Sequence, residues 1–232
     1  MTMSHHPAQD RFHSNFGWLD SWHSFSFGNH YDPERLGYAA LRVINDDLIA
    51  AGGGFGTHPH RDMEIISYPV VGGLAHKDST GSSGVVSPGE VQVMSAGTGI
   101  THSEHAAGEG TTRLLQIWIM PDREGHSPRY DQRHFAVHEE PNVLHTLVSG
   151  DGRDASLSIH QDAIMYAAKL TAGSSLNLPV QADRKAWVQI VNGSGSLGAQ
   201  QLQRGDGVAI EGEAELAMQA DDELEFLLFD LS

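Results

Sequence analysis

The chain has 232 residues, 39% of them hydrophobic and 19% charged, with 26 glycines and 9 prolines, a composition typical of a turn-rich globular protein and unlike that of a disordered one. Its formal net charge of −16 disfavours direct binding to nucleic acid or to an anionic membrane surface. It has no cysteine, which excludes disulfides, thiolate metal sites, iron–sulfur clusters and cysteine nucleophiles.

The N-terminal segment Met1–Arg11 is polar, and no apolar run in the chain approaches the roughly 18 residues of a membrane-spanning helix. We therefore predict a cytoplasmic protein that does not bind membranes. His5 and His6 lie close to the chain terminus, and we expect them to belong to a frayed, solvated segment rather than to a metal site.

Short apolar segments bounded by Gly, Pro, Asp or Ser recur along the chain and predict β-strands. In chain order they are Glu64–Val71, Val91–Met94, Leu114–Met120, Trp187–Val191 and Glu225–Phe229. Helical periodicity is weak, and its best candidates are short turns near Tyr130–Phe135 and Asp162–Ala168. The spacing predicts an all-β protein of the sandwich or barrel type.

The order of these motifs repeats between the two halves of the chain. The first half has Tyr68–Gly73, Val86–Met94 and Leu115–Met120, and the second half has Trp187–Gly193, Leu202–Ile210 and Glu225–Leu231. Two similar β units joined by the polar segment Asp122–Arg153 explain this order. The alternative is chance similarity among β proteins.

Two pairs of potential metal ligands stand out among the 15 histidines. His58 and His60 are two residues apart, as are His102 and Glu104, so on extended strands each pair points to one face of a sheet. Neighbouring residues on paired strands lie roughly 5 Å apart, so four ligands could converge on one ion. The alternative is a set of core and surface histidines without a metal.

Three imidazoles and one carboxylate suit a divalent first-row metal and disfavour Mg²⁺ or Ca²⁺. Four protein ligands leave two positions of an octahedron open, as a metal-dependent oxygenase requires, whereas a structural zinc site is closed. The glycines of Gly52–Gly56, together with Gly97 and Gly99, suit turns or a close backbone approach beside these residues.

The same segments carry a resemblance to the cupin superfamily. The spacing of Gly52, His58, His60, Glu64 and Gly72 resembles the first cupin motif with one extra residue, and Gly99–His102 resembles the core of the second. Ser95–Gly97 departs from the family pattern, since a proline-containing turn is expected there.

More narrowly, the chain resembles the pirin family, in particular the bacterial pirin-like quercetin 2,3-dioxygenases. The motifs that carry this resemblance are Gly17–Pro33, Ala40–Asp47, Gly56–Ile65, Ser95–Glu104 and Gln116–Pro121. The likeness is dense from Phe16 to Pro128 and looser, but in register, to the end of the chain.

The resemblance implies a bicupin, with two antiparallel, jelly-roll-like β-barrel domains. We expect an N-terminal metal-binding cupin domain at 1–125, a connector at 126–153 and a C-terminal cupin domain at 154–232. The family ligand set carries over to His58, His60, His102 and Glu104, while Glu64 is expected in the core or behind the ligands. Iron is the first choice of metal, and Ni, Mn, Co, Cu or Zn remain possible.

The implied activity is that of a dioxygenase that opens the heterocyclic ring of flavonols such as quercetin with O2 and releases carbon monoxide. Glu104, as a weak or mobile ligand, is the candidate catalytic base. The alternative implied by the eukaryotic pirins is a non-catalytic metal or redox sensor that acts through a protein partner. No further cofactor is expected, and the sequence does not identify the native metal or the physiological substrate.

The repeat predicts a metal-free second domain, because Pro179, Gln181 and Met218 align with the three ligand histidines. The connector histidines are expected on the solvated surface; they are His126, His134, His138 and His145. A further prediction assigns core or barrel-closing roles, rather than substrate stacking, to the N-terminal aromatic residues Trp18, Trp22, Phe25 and Phe27.

Overall fold

The computed structural model describes residues 2–212 and 214–232, and most of them are in β-strands. The strands, numbered in chain order, are β1 (Thr2–His6), β2 (Phe12–Asn15), β3 (Leu19–His23), β4 (Leu41–Ile49), β5 (Gly54–His60), β6 (Glu64–Val71), β7 (Gly73–Asp78), β8 (Ser83–Val86), β9 (Glu90–Ser95), β10 (Ile100–Ala107), β11 (Thr112–Ile119), β12 (Arg129–His134), β13 (His145–Ser149), β14 (Leu157–Ser158), β15 (Ala163–Leu170), β16 (Ser175–Val180), β17 (Lys185–Asn192), β18 (Ser194–Leu197), β19 (Gln200–Gln203), β20 (Gly207–Glu211), β21 (Ala214–Ala220) and β22 (Leu224–Leu231). Helical structure within these residues is confined to 3-10 turns at Ala8–Asp10 and Arg153–Ala155. Among the described residues, no helix is long and apolar enough to cross a membrane.

The described chain divides into two compact units. The first unit holds Phe12–Phe135 and Leu157–Gln161. The second unit holds the described residues of Met1–Arg11, with Ala136–Ser156 and Asp162–Ser232. The prediction of a nearly all-β protein is confirmed.

Two antiparallel sheets form the first unit, all of whose residues are described. The larger sheet has the strand order β12-β9-β6-β11-β4-β3-β2, and the smaller has the order β5-β10-β7-β8. The central strand β6 is almost fully buried and contains Pro69, which cannot donate a ladder hydrogen bond. A register shift between Arg113 and Leu114, opposite Val71 and Pro69, accommodates it as a bulge.

The inner faces of these two sheets meet around a polar layer. Apolar residues pack at either side of it, in one cluster with Leu19, Ile49, Leu74 and Leu114 and in another with Ile65, Met94, Ala96 and Ile100. The polar layer between these clusters carries the predicted ligands and is described below.

Both predicted helical turns are wrong. Tyr130–Phe135 falls largely in β12, which pairs with β9, and Asp162–Ala168 falls largely in β15, which pairs with β22 along its whole length. Local helical preference is worth only fractions of a kcal/mol per residue, and pairing within a buried sheet outweighs it.

The prediction of a frayed N-terminus is also wrong. Thr2–His6 pairs with Gly207–Glu211, at an edge of a second-unit sheet with the order β1-β20-β17-β22-β15-β13. The ring of His6 lies 4.9 Å from that of Trp187. An edge strand offers unpaired backbone groups, and this segment satisfies those of β20.

The second unit is built around an apolar core that lies between this sheet and the sheet β16-β21-β18-β19. Met218, aligned by the repeat with a ligand histidine, is fully buried in that core with Leu178, Leu216 and Phe226. Pro179 and Gln181 are exposed.

Candidate metal centre

Adjacent strands of the smaller first-unit sheet carry the four predicted ligands. His58 and His60 lie on β5, and His102 and Glu104 lie on β10, with His58 directly opposite His102. The third strand, β7, adds His76 directly opposite Glu104. The period-2 alternation of each strand turns these side chains to one face of the sheet.

Three imidazoles converge at one point of this face. One ring nitrogen from each of His58, His60 and His102 lies within 4.8 Å of the others. The Nδ1–H of His58 donates a hydrogen bond to the carbonyl oxygen of Gly56 at 2.8 Å, which leaves the lone pair of Nε2 available to a metal.

The nitrogen spacing fits a shared cation. Nε2 of His58 lies 2.9 Å from Nε2 of His102. Two nitrogens about 2.1 Å from one ion and at right angles to each other would be about 3.0 Å apart. The donor set and its spacing therefore suit a divalent transition metal.

Electrostatics keep two of these imidazoles neutral. Burial, followed by the charge of His58, lowers the pKa of His60 to about 4. Burial, followed by the neighbouring imidazoles, lowers the pKa of His102 to about 3. Both rings are therefore unprotonated at pH 7, which is the form that ligates a metal.

Glu104 lies next to the imidazole cluster, buried at 2% exposure. Its carboxylate accepts hydrogen bonds from the amide of Gln116 at 2.9 Å, the hydroxyl of Ser67 at 3.3 Å and the amide of Gln92 at 3.4 Å. Burial raises the pKa of Glu104 to about 7 despite these hydrogen bonds. One of its oxygens lies within 4.8 Å of ligand atoms of both His76 and His102.

His76 is part of this cluster and was missed in the sequence. It lies two residues before Asp78, and the alternation of Leu74, His76 and Asp78 is the same type of signal that identified the other two pairs. The segment has few β-branched residues, which is why its strand was not predicted.

A row of polar side chains crosses the larger sheet beneath Glu104, also unforeseen from the sequence. It runs in register across β3, β4, β11, β6 and β9 through His23, Asn45, Gln116, Ser67 and Gln92. All five side chains are buried. Three of them, Ser67, Gln92 and Gln116, are flanked by apolar residues in their strands, and a polar residue at such a position is the signal that could have identified the row.

A cavity of about 580 Å³ opens onto the imidazole cluster and Glu104. Its aromatic wall includes Phe16, Phe27, Phe55 and Trp118. The Trp118 ring is 5.0 Å from that of His60 and 5.4 Å from that of Phe27. Phe27 is half-buried and its ring lines the cavity, whereas Phe25 is buried.

The cavity is also lined by polar residues, which include Asp47. The hydroxyl of Ser21 donates a hydrogen bond to the Asp47 carboxylate. Burial, with smaller contributions from the charges of Asp46 and Glu104, raises the pKa of Asp47 to about 7. A second proton-binding carboxyl group therefore faces the cavity.

Glu64 lies apart from the imidazole cluster. It is buried and accepts hydrogen bonds from the hydroxyl of Ser95 at 2.6 Å and from Nδ1 of His160 at 3.0 Å. His160 stacks on His126 with 3.8 Å between ring centroids, so the prediction of a solvated surface position is wrong for His126. His134 is exposed, as predicted.

Comparisons with known proteins agree over nearly the whole chain. The Pirin family model matches residues 5–119, and the model of the quercetinase C-terminal cupin domain matches residues 146–231. The quercetin 2,3-dioxygenase of Escherichia coli K12 is 48% identical over 226 residues, which cover 97% of this chain and 96% of that protein. A pirin-like protein of Caulobacter vibrioides is 39% identical, with 94% of each chain covered.

Among solved structures, the E. coli bacterial pirin YhhW in complex with nickel(II) has a TM-score of 0.93 to this chain. The two are 45% identical, and the likeness covers 99% of each chain. With a family match over its first half and relatives well above 30% identity over almost its full length, this chain belongs to the pirin family.

Proposed function

We propose that this protein is a metal-dependent quercetin 2,3-dioxygenase, which opens the heterocyclic ring of flavonols such as quercetin with O2. The observation that carries the proposal is the convergence of His58, His60 and His102 at the wall of an aromatic-lined cavity. The E. coli K12 relative that bears this name supports it.

The metal would be held by His58, His60 and His102, with Glu104 as a fourth, weaker ligand. Iron is the first choice, and the nickel(II) complex of YhhW supports nickel as an alternative. When bound, the metal supplies Lewis acidity toward the flavonol oxygens and access to O2 chemistry.

Side chains of the protein bind the substrate and accept its proton. The rings of Phe16, Phe27, Phe55 and Trp118 offer flat apolar surfaces to a planar flavonol and exclude water from it. Glu104 takes the proton of the flavonol hydroxyl, because its buried carboxylate borders the same cavity as the three imidazoles. The amides of Gln92 and Gln116 hold the carboxylate in place.

The two units are proposed to be the two barrels of a bicupin. In this assignment residues 1–125 form the metal-binding cupin domain, 126–153 the connector and 154–232 the metal-free cupin domain. The N-terminal strand Thr2–His6 departs from this division, because it pairs with a strand of the second unit. The family match to a quercetinase C-terminal cupin domain supports the second barrel. The cytoplasmic location stays a prediction.

The test is anaerobic reconstitution of the metal-free protein with Fe²⁺, Ni²⁺, Mn²⁺, Co²⁺, Cu²⁺ or Zn²⁺, followed by quercetin and then O2. Loss of the flavonol absorbance, with release of carbon monoxide, is expected with at least one metal. Unchanged absorbance with every metal would contradict the proposal and favour the non-catalytic sensor.

Glu104→Gln tests the assignment of the base. It should retain most of the bound metal and lose turnover, because the amide cannot accept the flavonol proton. His105→Gln is the matched control, since His105 is the next residue of β10 and is exposed. Full activity of Glu104→Gln would remove the base assignment.

A further inference from the structure

A buried histidine that the proposed reaction does not use contacts His102 on the side away from His58. Nδ1 of His76 lies 3.5 Å from Nδ1 of His102. Nε2 of His76 lies 3.0 Å from Oδ2 of Asp78, and neither of these two side chains is exposed. The ring of Tyr130 stacks on His76 at 4.6 Å between centroids and limits its rotation.

Asp78 is built to remain a carboxylate. Its Oδ1 accepts hydrogen bonds from the backbone N–H of Thr80 at 2.8 Å, the hydroxyl of Thr80 at 2.6 Å and the backbone N–H of Ser82 at 3.1 Å. Burial alone would raise the pKa of Asp78, but these hydrogen bonds and that of His76 hold it below its ordinary value. Oδ2 is therefore a hydrogen-bond acceptor only.

This acceptor determines which ring nitrogens carry protons. Nε2 of His76 must donate to Asp78, which leaves Nδ1 of a neutral His76 as an acceptor. The facing Nδ1 of His102 must then be the donor, and the lone pair of His102 lies on Nε2. That atom is the one 2.9 Å from Nε2 of His58.

We propose that His76 and Asp78 are positioning residues that hold His102 in the tautomer whose Nε2 faces the metal. The proposal rests on the metal ligands of the proposed function, but not on its substrate or its reaction. Carboxylates and other acceptors that receive the second N–H of a metal-bound histidine fix the orientation of its ring and raise its basicity. Here a second imidazole lies between the carboxylate and the ligand.

The first test is the ¹⁵N spectrum of the histidine rings in the wild-type, zinc-loaded protein. We expect a proton on Nδ1 of His102 and on Nε2 of His76. Of these two rings, only that of His102 should show a shift caused by coordination. A proton on Nδ1 of His76 would overturn the proposal. So would a coordination shift of a His76 nitrogen, because it would make His76 a ligand together with Glu104 and His102.

The second test is Asp78→Asn, which keeps the shape of the side chain and an oxygen for Thr80 and Ser82. The new amide N–H group faces Nε2 of His76, which must then accept a hydrogen bond, so the ring proton of His76 moves to Nδ1. There it faces the N–H group of His102, and two donors meet with no acceptor between them. We expect the Kd for Zn²⁺, measured by competition with a chelating dye, to rise about 10–100-fold.

Thr80→Val is the matched control. It removes the hydroxyl that donates to Oδ1 of Asp78 and that lies 3.1 Å from the hydroxyl of Ser82, but it leaves Oδ2 and His76 untouched, so it should change the Kd by less than about twofold. His76→Phe retains the stack on Tyr130 and should weaken Zn²⁺ binding as Asp78→Asn does. If circular dichroism shows that Asp78→Asn does not fold, His76→Phe serves as the test instead.

A Kd for Asp78→Asn or His76→Phe within about twofold of wild type would overturn the proposal. These readouts do not use quercetin. A protein that binds Zn²⁺ but has no flavonol activity would therefore contradict the proposed reaction and leave the positioning role intact.

Discussion

Neutralising Asp47 should stabilise the metal-free protein, increasingly so as the pH rises. Burial raises the pKa of Asp47 from 3.8 to about 7, so the folded state binds this proton more tightly than the unfolded state does. Stability is therefore lost as the pH rises from about 4 through about 7. At about 1.4 kcal/mol per pH unit, the ionised carboxylate costs about 4 kcal/mol at pH 8.5.

Asp47→Asn removes this cost while keeping an oxygen to accept the hydrogen bond from Ser21. The variant should be more stable than wild type by about 4 kcal/mol at pH 8.5 and by only about 1 kcal/mol at pH 4.5. The assay is urea denaturation of both proteins in the presence of a chelator at a series of pH values. Glu109→Gln is the control, because Glu109 is exposed and its neutralisation should leave the curve parallel to that of wild type.

The slope of the difference between variant and wild type is the decisive quantity. If the amide introduced by Asp47→Asn is poorly satisfied, the stability of the variant falls by the same amount at every pH, and that slope is unchanged. A difference that stays constant between pH 4.5 and pH 8.5 would refute the reasoning.

Further variants test the packing of the two units. Gly54→Ala should weaken Zn²⁺ binding at least about tenfold in dye competition, because the new Cβ would lie 2.5 Å from the carbonyl oxygen of Glu104 and push β5 away from β10. Gly56→Ala is the control: its Cβ would meet no atom within 4 Å, so this variant should bind Zn²⁺ as wild type does. Ser95→Ala should cost about 1–3 kcal/mol in urea denaturation, because buried Glu64 loses a donor at 2.6 Å; a neutral result would mean that water replaces the hydroxyl. Met218→Ala should cost about 2–5 kcal/mol by leaving a cavity in the second unit, with the Kd for Zn²⁺ unchanged; weaker Zn²⁺ binding would contradict the assignment of the metal to the first unit.

Most strands and the two ligand pairs could be predicted from the sequence, because both depend on the alternation of side chains along a single strand. Pairs such as His58 and His60 need only an extended backbone to share a face. The pairing of β5 with β10 joins segments that are distant in the chain, so it was predicted from the family motifs and not from the spacing of the histidines. His76 was missed because its partners Glu104 and His102 become neighbours only through the pairing of β7 with β10.

The polar row beneath Glu104 illustrates the same limit. Ser67, Gln92 and Gln116 are polar residues flanked by apolar residues in three separate strands, and none of them alone indicates a functional site. Only the register between strands places them opposite one another, where they can share one carboxylate. Likewise, the polar N-terminal segment shows no strand pattern of its own, and the exposed edge of β20 determines its conformation.

The pairing of Thr2 with Glu211 also constrains the order of events during translation. The strand Thr2–His6 leaves the ribosome long before its partner Gly207–Glu211, whereas Phe12–Phe135 can begin to fold before that partner emerges. At a synthesis rate of about 5–20 residues per second, Thr2–His6 therefore stays unpaired in the nascent chain for several seconds at least.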